Sequence, residues 1–380
     1  MKLLKCLWIV VLCLCLCGCD LLSRGSHIYV GEHQNPSTGS GNQNVNARNY
    51  QQLYKALVNM VEKGEDQKII FVKQYDKQQL DADLQQAVAT ICAENPIAAY
   101  AVKEIQCTVG TVSGEDAVSV QVLYMRDQTQ IHQIVSVKDN QAAQEIIYQS
   151  LNACETGLVL YIAEYASIDF SQMVKDHALA YPEYVMEQPQ VSVNIYPETG
   201  ESRVVELKFT YETNRDLLKN MQNQVSPVFR SAVLYVSGDA AEEEKFSQLY
   251  SFLMERYDYT ITTSITPAYS LLRHGMGDCR AFAMVYAAMC RQAGLECLVV
   301  SGNRAGENWY WNIVNMDGAY YHVDLLSTGD GGVFLGHNDE QMQAEGYLWN
   351  FEAYPSCQPS VPDDPNPEPF PGQEDLEKEN

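Results

Sequence analysis

The chain is 380 residues long and carries 49 acidic against 25 basic side chains, so its formal net charge at pH 7 is −24. A surface this acidic repels nucleic acid and anionic lipid headgroups, which excludes both as ligands. The length is sufficient for two or three domains. We therefore expect a multidomain protein whose partners are neither nucleic acids nor charged membrane surfaces.

The N-terminus has the pattern of a segment that directs export. Lys2 and Lys5 precede an apolar run that continues unbroken over residues 6–16. The run is shorter than the about 20 residues that cross a bilayer. It ends in the letters LCGC, whose last residue is Cys19, and this junction resembles the lipobox of bacterial lipoproteins.

The lipobox resemblance implies a signal peptide over residues 1–18 and a diacylglycerol attached to Cys19. The protein would then be anchored in the lipid bilayer, at the extracytoplasmic face of the cell membrane. A plain signal peptide or a short membrane anchor is the alternative interpretation. Residues 19–47 are rich in Ser, Gly, Asn and Gln, which is typical of a flexible tether.

The C-terminal end of the chain is also polar and of low complexity. Residues 356–380 are rich in proline and contain seven carboxylates against one lysine. Such a segment has too few apolar side chains to form a core, so we predict a disordered tail.

The segment after the tether contains an internal similarity with a period near 86 residues. The pattern Asp-(Leu/Phe)-x-Gln-x-Val begins at Asp83 and again at Asp169, and a proline follows thirteen residues after each aspartate. An apolar strand and a helix-like run precede each copy, and two strands around a glycine-containing turn follow it.

This similarity predicts two α+β units, over residues 48–127 and 128–213, each with a helix–strand–helix–hairpin order. Chance similarity is the alternative, because only about a dozen positions match. We expect the two units to bind or space partners rather than to catalyse a reaction.

The cysteines outside the N-terminal segment show no compact disulfide framework, and their odd number predicts at least one unpaired thiol. No cluster of cysteine, histidine and carboxylate residues has the spacing of a metal site, so we predict neither a structural metal nor another cofactor. The seven cysteines outside the N-terminal segment are Cys92, Cys107, Cys154, Cys279, Cys290, Cys297 and Cys357.

The motif that carries chemistry lies in the last third of the chain. The letters GDCRAFA, with Cys279 as their cysteine, open a helix-like run that ends at Gly294. Two strand-like segments follow, WYWNIV from Trp309 and YYHVD from Tyr320. Over about 75 residues, this order and spacing resemble the core of the transglutaminase-like superfamily of papain-type cysteine enzymes.

The resemblance implies a fold and two site residues. The fold is an α+β domain over residues 214–355, in which a cysteine at a helix N-terminus packs on an antiparallel sheet. Cys279 matches the family's nucleophile, and Asp324 matches the carboxylate that orients the base. A thiol at a helix N-terminus faces unsatisfied N–H groups, which predicts a lowered thiol pKa.

The histidine that serves as the base in the family is missing here. Trp309 occupies its position, and an indole has one N–H donor and no lone pair that could accept a proton. The Asp-Gly pair at 317–318 predicts a two-residue hairpin turn. That turn places Trp311 opposite Asp324 in the hairpin, with Trp309 diagonally across from the carboxylate.

Two other histidines are candidates to replace the missing base. His322 lies on the same strand face as Asp324 but roughly 6.5 Å further along the strand. His274 precedes Cys279 by five residues and is expected in a surface loop. A base must come within hydrogen-bonding reach of the thiol.

We therefore expect a domain that binds without catalysing, with cell-wall peptide, glycan or a partner protein as ligand. Trp309, Trp311, Asn312 and Tyr320 are the candidate binding residues. The alternative for the aromatic residues is core packing or cross-strand pairing. The alternative function is an active cysteine hydrolase or acyltransferase that uses Cys279 and Asp324 with His322 as an unusual base.

Overall fold

The structure is a computed structural model that describes residues 45–327 and 336–358. All of these residues belong to one compact unit, residues 45–380. The predicted signal peptide, Cys19, nearly all of the tether and the chain beyond residue 358 lie outside the described residues. Within the two described ranges, no helix combines the length and the apolar composition that crossing a bilayer requires.

Helices and strands alternate along the described chain. The helices are α1 (Tyr50–Glu62), α2 (Leu80–Glu94), α3 (Pro96–Ala101), α4 (Gln128–His132), α5 (Asn140–Asn152), α6 (Phe170–Ala180), α7 (Arg215–Arg230), α8 (Glu242–Met254), α9 (Pro267–Tyr269), α10 (Cys279–Gln292) and α11 (Asp339–Ala344). The strands are β1 (Val45–Asn46), β2 (Gln67–Phe71), β3 (Val102–Val112), β4 (Glu115–Tyr124), β5 (Val135–Asp139), β6 (Gly157–Glu164), β7 (Gln190–Tyr196), β8 (Arg203–Thr210), β9 (Asp258–Tyr259), β10 (Met276–Gly277), β11 (Cys297–Arg304), β12 (Glu307–Met316), β13 (Ala319–Val323) and β14 (Tyr347–Trp349).

Two four-stranded sheets with the same topology form the N-terminal half. Their strand orders are β1-β2-β4-β3 and β5-β6-β8-β7. In each sheet the first pair of strands is parallel and the other two pairs are antiparallel. The helices α1 and α5 begin at Tyr50 and Asn140, which are 140 − 50 = 90 residues apart.

The first strand of each sheet, β1 or β5, was not predicted from the sequence. In the first unit this strand is β1, which starts at Val45 and so lies within the segment assigned to the tether. It runs parallel to β2, and Val45 lies opposite Ile70. Two residues are too few to show the alternating pattern by which strands are recognised, so the sequence contained no signal for β1.

The second unit is joined to the C-terminal domain through buried polar side chains. Arg291 donates a hydrogen bond of 2.7 Å to Glu183, whose side chain is only 5% exposed. Within the second unit, Glu187 accepts the backbone N–H groups of Glu212 and Thr213 at 2.5 and 3.0 Å, directly before the C-terminal domain begins. A buried carboxylate is stable only when donors compensate it, so the Glu183–Arg291 pair holds the C-terminal domain to the second unit.

The C-terminal domain is built around α10, in which every residue from Ala281 to Cys290 is buried. This helix packs against an antiparallel sheet with the order β13-β12-β11-β14. At the turn between β12 and β13, Asp317 and Gly318 have φ of 52° and 87°, as an Asp-Gly hairpin turn requires. The predicted turn is therefore confirmed.

The register of this hairpin is also the predicted one. Asn312 pairs with Val323, and Ile313 pairs with His322. The next position along the two strands brings Trp311 opposite Asp324. The hairpin therefore carries Trp309 toward the carboxylate that follows β13.

Candidate functional site

A tight turn places Cys279 at the first residue of α10. Gly275 has φ of 82°, which favours glycine. At Gly277, an added Cβ would lie 2.8 Å from Ala281 Cβ and 3.0 Å from Leu271 Cδ1, so a side chain does not fit. Asp278 then caps the helix by accepting the Ala281 N–H at 2.9 Å.

The Cys279 thiol is buried, with 8% of the residue exposed. Burial raises its pKa to about 11; the backbone N–H groups of Tyr310 and Arg280 act in the opposite direction, and the charges of Asp278 and Asp324 raise it further. The expectation of a lowered pKa was therefore wrong. The desolvation of the sulfur and the carboxylate of the helix cap outweigh the helix N-terminus.

Trp309 contacts Asp324, the residue that the sequence resemblance matches to the orienting carboxylate of the family. Its indole Nε1–H donates a hydrogen bond of 2.7 Å to Oδ2 of Asp324. The next residue, Tyr310, is the one whose backbone N–H reaches the Cys279 sulfur. The indole therefore lies against the carboxylate, one residue along β12 from the backbone N–H that contacts the thiol, but it has no lone pair with which to take a proton.

The Asp324 carboxylate is almost completely buried, with 3% of its side chain exposed. Besides Trp309, Oδ2 accepts the Tyr347 hydroxyl at 2.6 Å and Nη1 of Arg304 at 3.4 Å. Oδ1 accepts the backbone N–H of Leu326 at 2.9 Å. These donors compensate the buried charge, so the carboxylate is held without an imidazole.

Arg304 and Tyr347 were not found by sequence reasoning, although both contact Asp324. The guanidinium of Arg304 lies 4.8 Å from the ring centre of Tyr347 and 5.4 Å from that of Trp309. Arg304 ends β11, and Tyr347 is its partner at the start of β14. Only this pairing brings them to the site, and β14 has three residues, too few for a recognisable pattern.

The comparison with protein families agrees with this arrangement. The description "Transglutaminase-like superfamily" applies to the family model that matches residues 231–329. Residues 231–329 form a transglutaminase-like domain. The match contains Cys279, Trp309 and Asp324, and it lies within the range of 214–355 predicted for this domain. No curated protein matches the chain.

Solved structures show distant similarity. A candidate cysteine protease from Cytophaga hutchinsonii is 13% identical, with a TM-score of 0.25, over 39% of this chain and 65% of that one. A TGase is 10% identical, with a TM-score of 0.27, over 62% and 68% of the two chains. A candidate protease from Parabacteroides distasonis is 11% identical, with a TM-score of 0.23, over 61% and 40%. The chain thus spans less than two thirds of the Cytophaga and Parabacteroides proteins.

His322 of the transglutaminase-like domain is fully buried, and both of its ring nitrogens are engaged. Nδ1 accepts the indole N–H of Trp311 at 2.9 Å, and Nε2 lies 2.9 Å from Oδ1 of Asp339. Burial lowers the pKa of His322, and the Asp339 carboxylate only partly opposes this effect. The imidazole is neutral with its proton on Nε2, so it has no lone pair left for Cys279. This corrects the expectation that His322 could replace the missing base.

Asp339 also fixes the segment at which the disordered tail was expected to begin. Its Oδ2 accepts the Ser356 hydroxyl at 2.8 Å and the Cys357 N–H at 3.2 Å. Cys357 is fully buried. Residues 356–358 are therefore part of the packed domain, and the predicted boundary of the tail at 356 was too early.

His322, Asp339 and Cys357 bring three metal-ligating atoms within 4.8 Å of one another. The hydrogen bonds of His322 do not fit a metal, however. A metal on Nε2 would require a proton on Nδ1, and that proton would point at the indole N–H of Trp311. Because Ser356 and Cys357 already satisfy Asp339, the cluster is complete as a hydrogen-bonded chain.

Three of the four candidate binding residues are not at the surface near Cys279. Trp311 and Asn312 are fully buried, and Asn312 donates to the backbone oxygens of Ala283 and Leu298. Tyr320 pairs with Asn315, which lies five residues from Tyr310 and thus roughly 16 Å along β12. Core packing, the alternative for Trp311, is therefore what the structure shows, and of this set it is Trp309 that contacts the Asp324 carboxylate.

We predict that the alkylation of Cys279 by iodoacetamide has a pH midpoint near 11, because only the thiolate reacts. At pH 8 about 0.1% of the thiol would be ionised, against roughly a quarter in the unfolded chain. Mass spectrometry of the tryptic peptide HGMGDCR measures the alkylated fraction of Cys279 separately from the other cysteines, since trypsin cleaves after Arg273 and Arg280.

The matched variants separate the loss of the indole from the gain of a base. Trp309→His should lower the alkylation midpoint by at least about 2 pH units, because an imidazole can take the thiol proton. Trp309→Phe, which offers neither donor nor acceptor, should leave the midpoint near that of the wild type. A wild-type midpoint at or below pH 8.5, or an equal fall in both variants, would contradict the assignment.

Proposed function

We propose that this chain is an exported, lipid-anchored protein whose transglutaminase-like domain binds an extended peptide without cleaving or transferring it. The observation that carries this proposal is the hydrogen bond from Trp309 Nε1 to Asp324. Acyl transfer by a thiol needs a group that accepts the thiol proton. The indole fills the place of that group and cannot perform its task.

An exposed apolar surface beside the thiol supports a role in binding. It consists of Tyr259, Ile261 and Met276, which lie on or just after the paired strands β9 and β10 and are 44%, 85% and 50% exposed. Tyr259 lies 6.2 Å from Trp309 between ring centres, and β9 pairs with β10 next to Cys279. Exposed apolar side chains grouped in this way are typical of a surface that another molecule covers.

The charges around this apolar surface favour a peptide with apolar and basic side chains. Asp258 and Glu307 are exposed. Burial raises the pKa of Tyr259, and the ionised forms of Cys279, Asp278, Glu307 and Asp324 raise it further. A basic peptide is attracted by the exposed carboxylates of Asp258 and Glu307, whereas an anionic polymer is repelled. The two N-terminal sheets would hold this surface away from the membrane.

The binding test uses a synthetic peptide that alternates leucine and lysine, a matched peptide with glutamate in place of lysine, and a chitooligosaccharide. We predict that the lysine peptide binds, is not cleaved, and loses affinity as salt is added. Ile261→Ser should weaken its binding roughly tenfold, because Ile261 is the most exposed residue of the apolar surface.

Leu234→Ser is the matched control, since Leu234 is 79% exposed and lies outside the apolar surface. It should leave binding unchanged. Preference for the glutamate peptide or the glycan, equal effects of the two serine variants, or cleavage of the lysine peptide would each overturn the proposal. Cleavage would restore the thiol-enzyme alternative.

The membrane anchor has a separate test. We predict that the chain expressed in a bacterium partitions into a detergent phase and that Cys19→Ser moves it to the aqueous phase, because the lipid chains are lost. If the two proteins partition alike, Cys19 is not the anchor.

A further inference from the structure

A second pair of thiols lies in the core of the transglutaminase-like domain, apart from the Cys279 site. Cys290 is in the last turn of α10 and is fully buried, and Cys297 is the first residue of β11 and is 9% exposed. Both belong to the same hydrophobic cluster. All seven cysteines of the described residues are free thiols.

The turn between α10 and β11 brings these two thiols together. Gly294 has φ of 77° and reverses the chain after the helix. Leu295 N–H donates to the Cys290 carbonyl at 2.9 Å, which closes the turn two residues before Cys297. Both side chains pack into that cluster with Tyr286, and the Cys290 and Cys297 thiols are close enough for one to affect the ionisation of the other.

We propose that Cys290 and Cys297 are the site of an intramolecular disulfide, formed by exchange with a disulfide donor as the chain folds. Each thiol loses its hydrogen, one S–S bond forms between the two sulfurs, and the donor's own S–S bond is reduced to two thiols. The chain thus supplies two electrons and two protons, and the donor accepts both.

The surroundings of the pair indicate when the exchange takes place. Burial raises the pKa of Cys290 well above its usual value, and the Cys297 thiol adds to this effect. The thiolate that must attack a donor is therefore scarce once the core has closed. The disulfide therefore forms before the hydrophobic core closes. Once the core has closed, burial of the disulfide protects it from reductants.

The bridge would fix the helix that carries Cys279 to the sheet that carries Trp309. It links the end of α10 to the start of β11. Strand β11 pairs with β12 along its whole length, with Cys297 opposite Val314 at one end and Arg304 opposite Glu307 at the other. This disulfide is independent of ligand binding, so the failure of either proposal leaves the other standing.

The test is to refold the full reduced chain with a mixture of reduced and oxidised glutathione, to block free thiols with iodoacetamide, and to digest with trypsin. Cleavage after Arg280, Arg291 and Arg304 separates residues 281–291 from residues 292–304, each with one cysteine. We expect the two peptides to be recovered as a linked pair. The pair should be two hydrogens lighter than the sum of the free peptides and should separate on reduction.

Two variants make the result specific. Cys297→Ser should leave Cys290 to be alkylated after denaturation, whereas Cys154→Ala, which removes a different buried thiol, should retain the linked pair. If the wild-type chain refolds and both peptides are recovered alkylated, or if either cysteine is linked mainly to another peptide, the proposal is overturned.

Discussion

The buried carboxylate of Asp324 is the constraint on which the site depends. A carboxylate with 3% of its side chain exposed has lost its water and must be met by donors, or the folded state pays a large desolvation penalty. Trp309, Tyr347, Arg304 and the Leu326 N–H supply those donors. The indole therefore helps to stabilise the carboxylate and has no lone pair with which to accept a proton.

These contacts give Asp324 a structural role that does not depend on whether the site catalyses a reaction. Asp324 connects three strands, because Trp309 comes from β12, Arg304 from β11 and Tyr347 from β14. Its loss would leave the buried Tyr347 hydroxyl unsatisfied, at a cost of about 1–3 kcal/mol, and would also remove the acceptor of the half-buried Trp309 and Arg304. The carboxylate is thus needed for the fold whatever the chemistry at Cys279. The burial that makes these bonds strong also raises the pKa of the thiol to about 11.

Much of the candidate site could be predicted from the sequence, because its determinants are local. The Asp-Gly turn sets the register of the β12–β13 hairpin, and that register places Trp309 against Asp324. The turn through Gly277 starts α10 at Cys279. In both cases a few neighbouring residues decide the backbone geometry, so no knowledge of distant contacts is required.

The properties that were predicted wrongly depend on contacts between residues distant in the chain. The pKa of Cys279 is set by how deeply the folded domain buries the sulfur, which a motif does not reveal. Trp311 and His322 resemble exposed site residues in sequence, but Asp339 and Cys357 come from a later segment and complete a buried chain around them. Likewise, β1 contributes two residues whose role is visible only once they pair with β2.

The most direct test of the account is the state of the Trp309 indole proton. Nuclear magnetic resonance of the ¹⁵N-labelled chain shows one indole N–H signal per tryptophan, and Trp309→Phe identifies the one in question. We expect the Trp309 indole proton to exchange slowly with solvent. Its chemical shift should change in Asp324→Asn, while the Trp311 signal stays in place. An indole proton that exchanges freely and is indifferent to Asp324→Asn would contradict it.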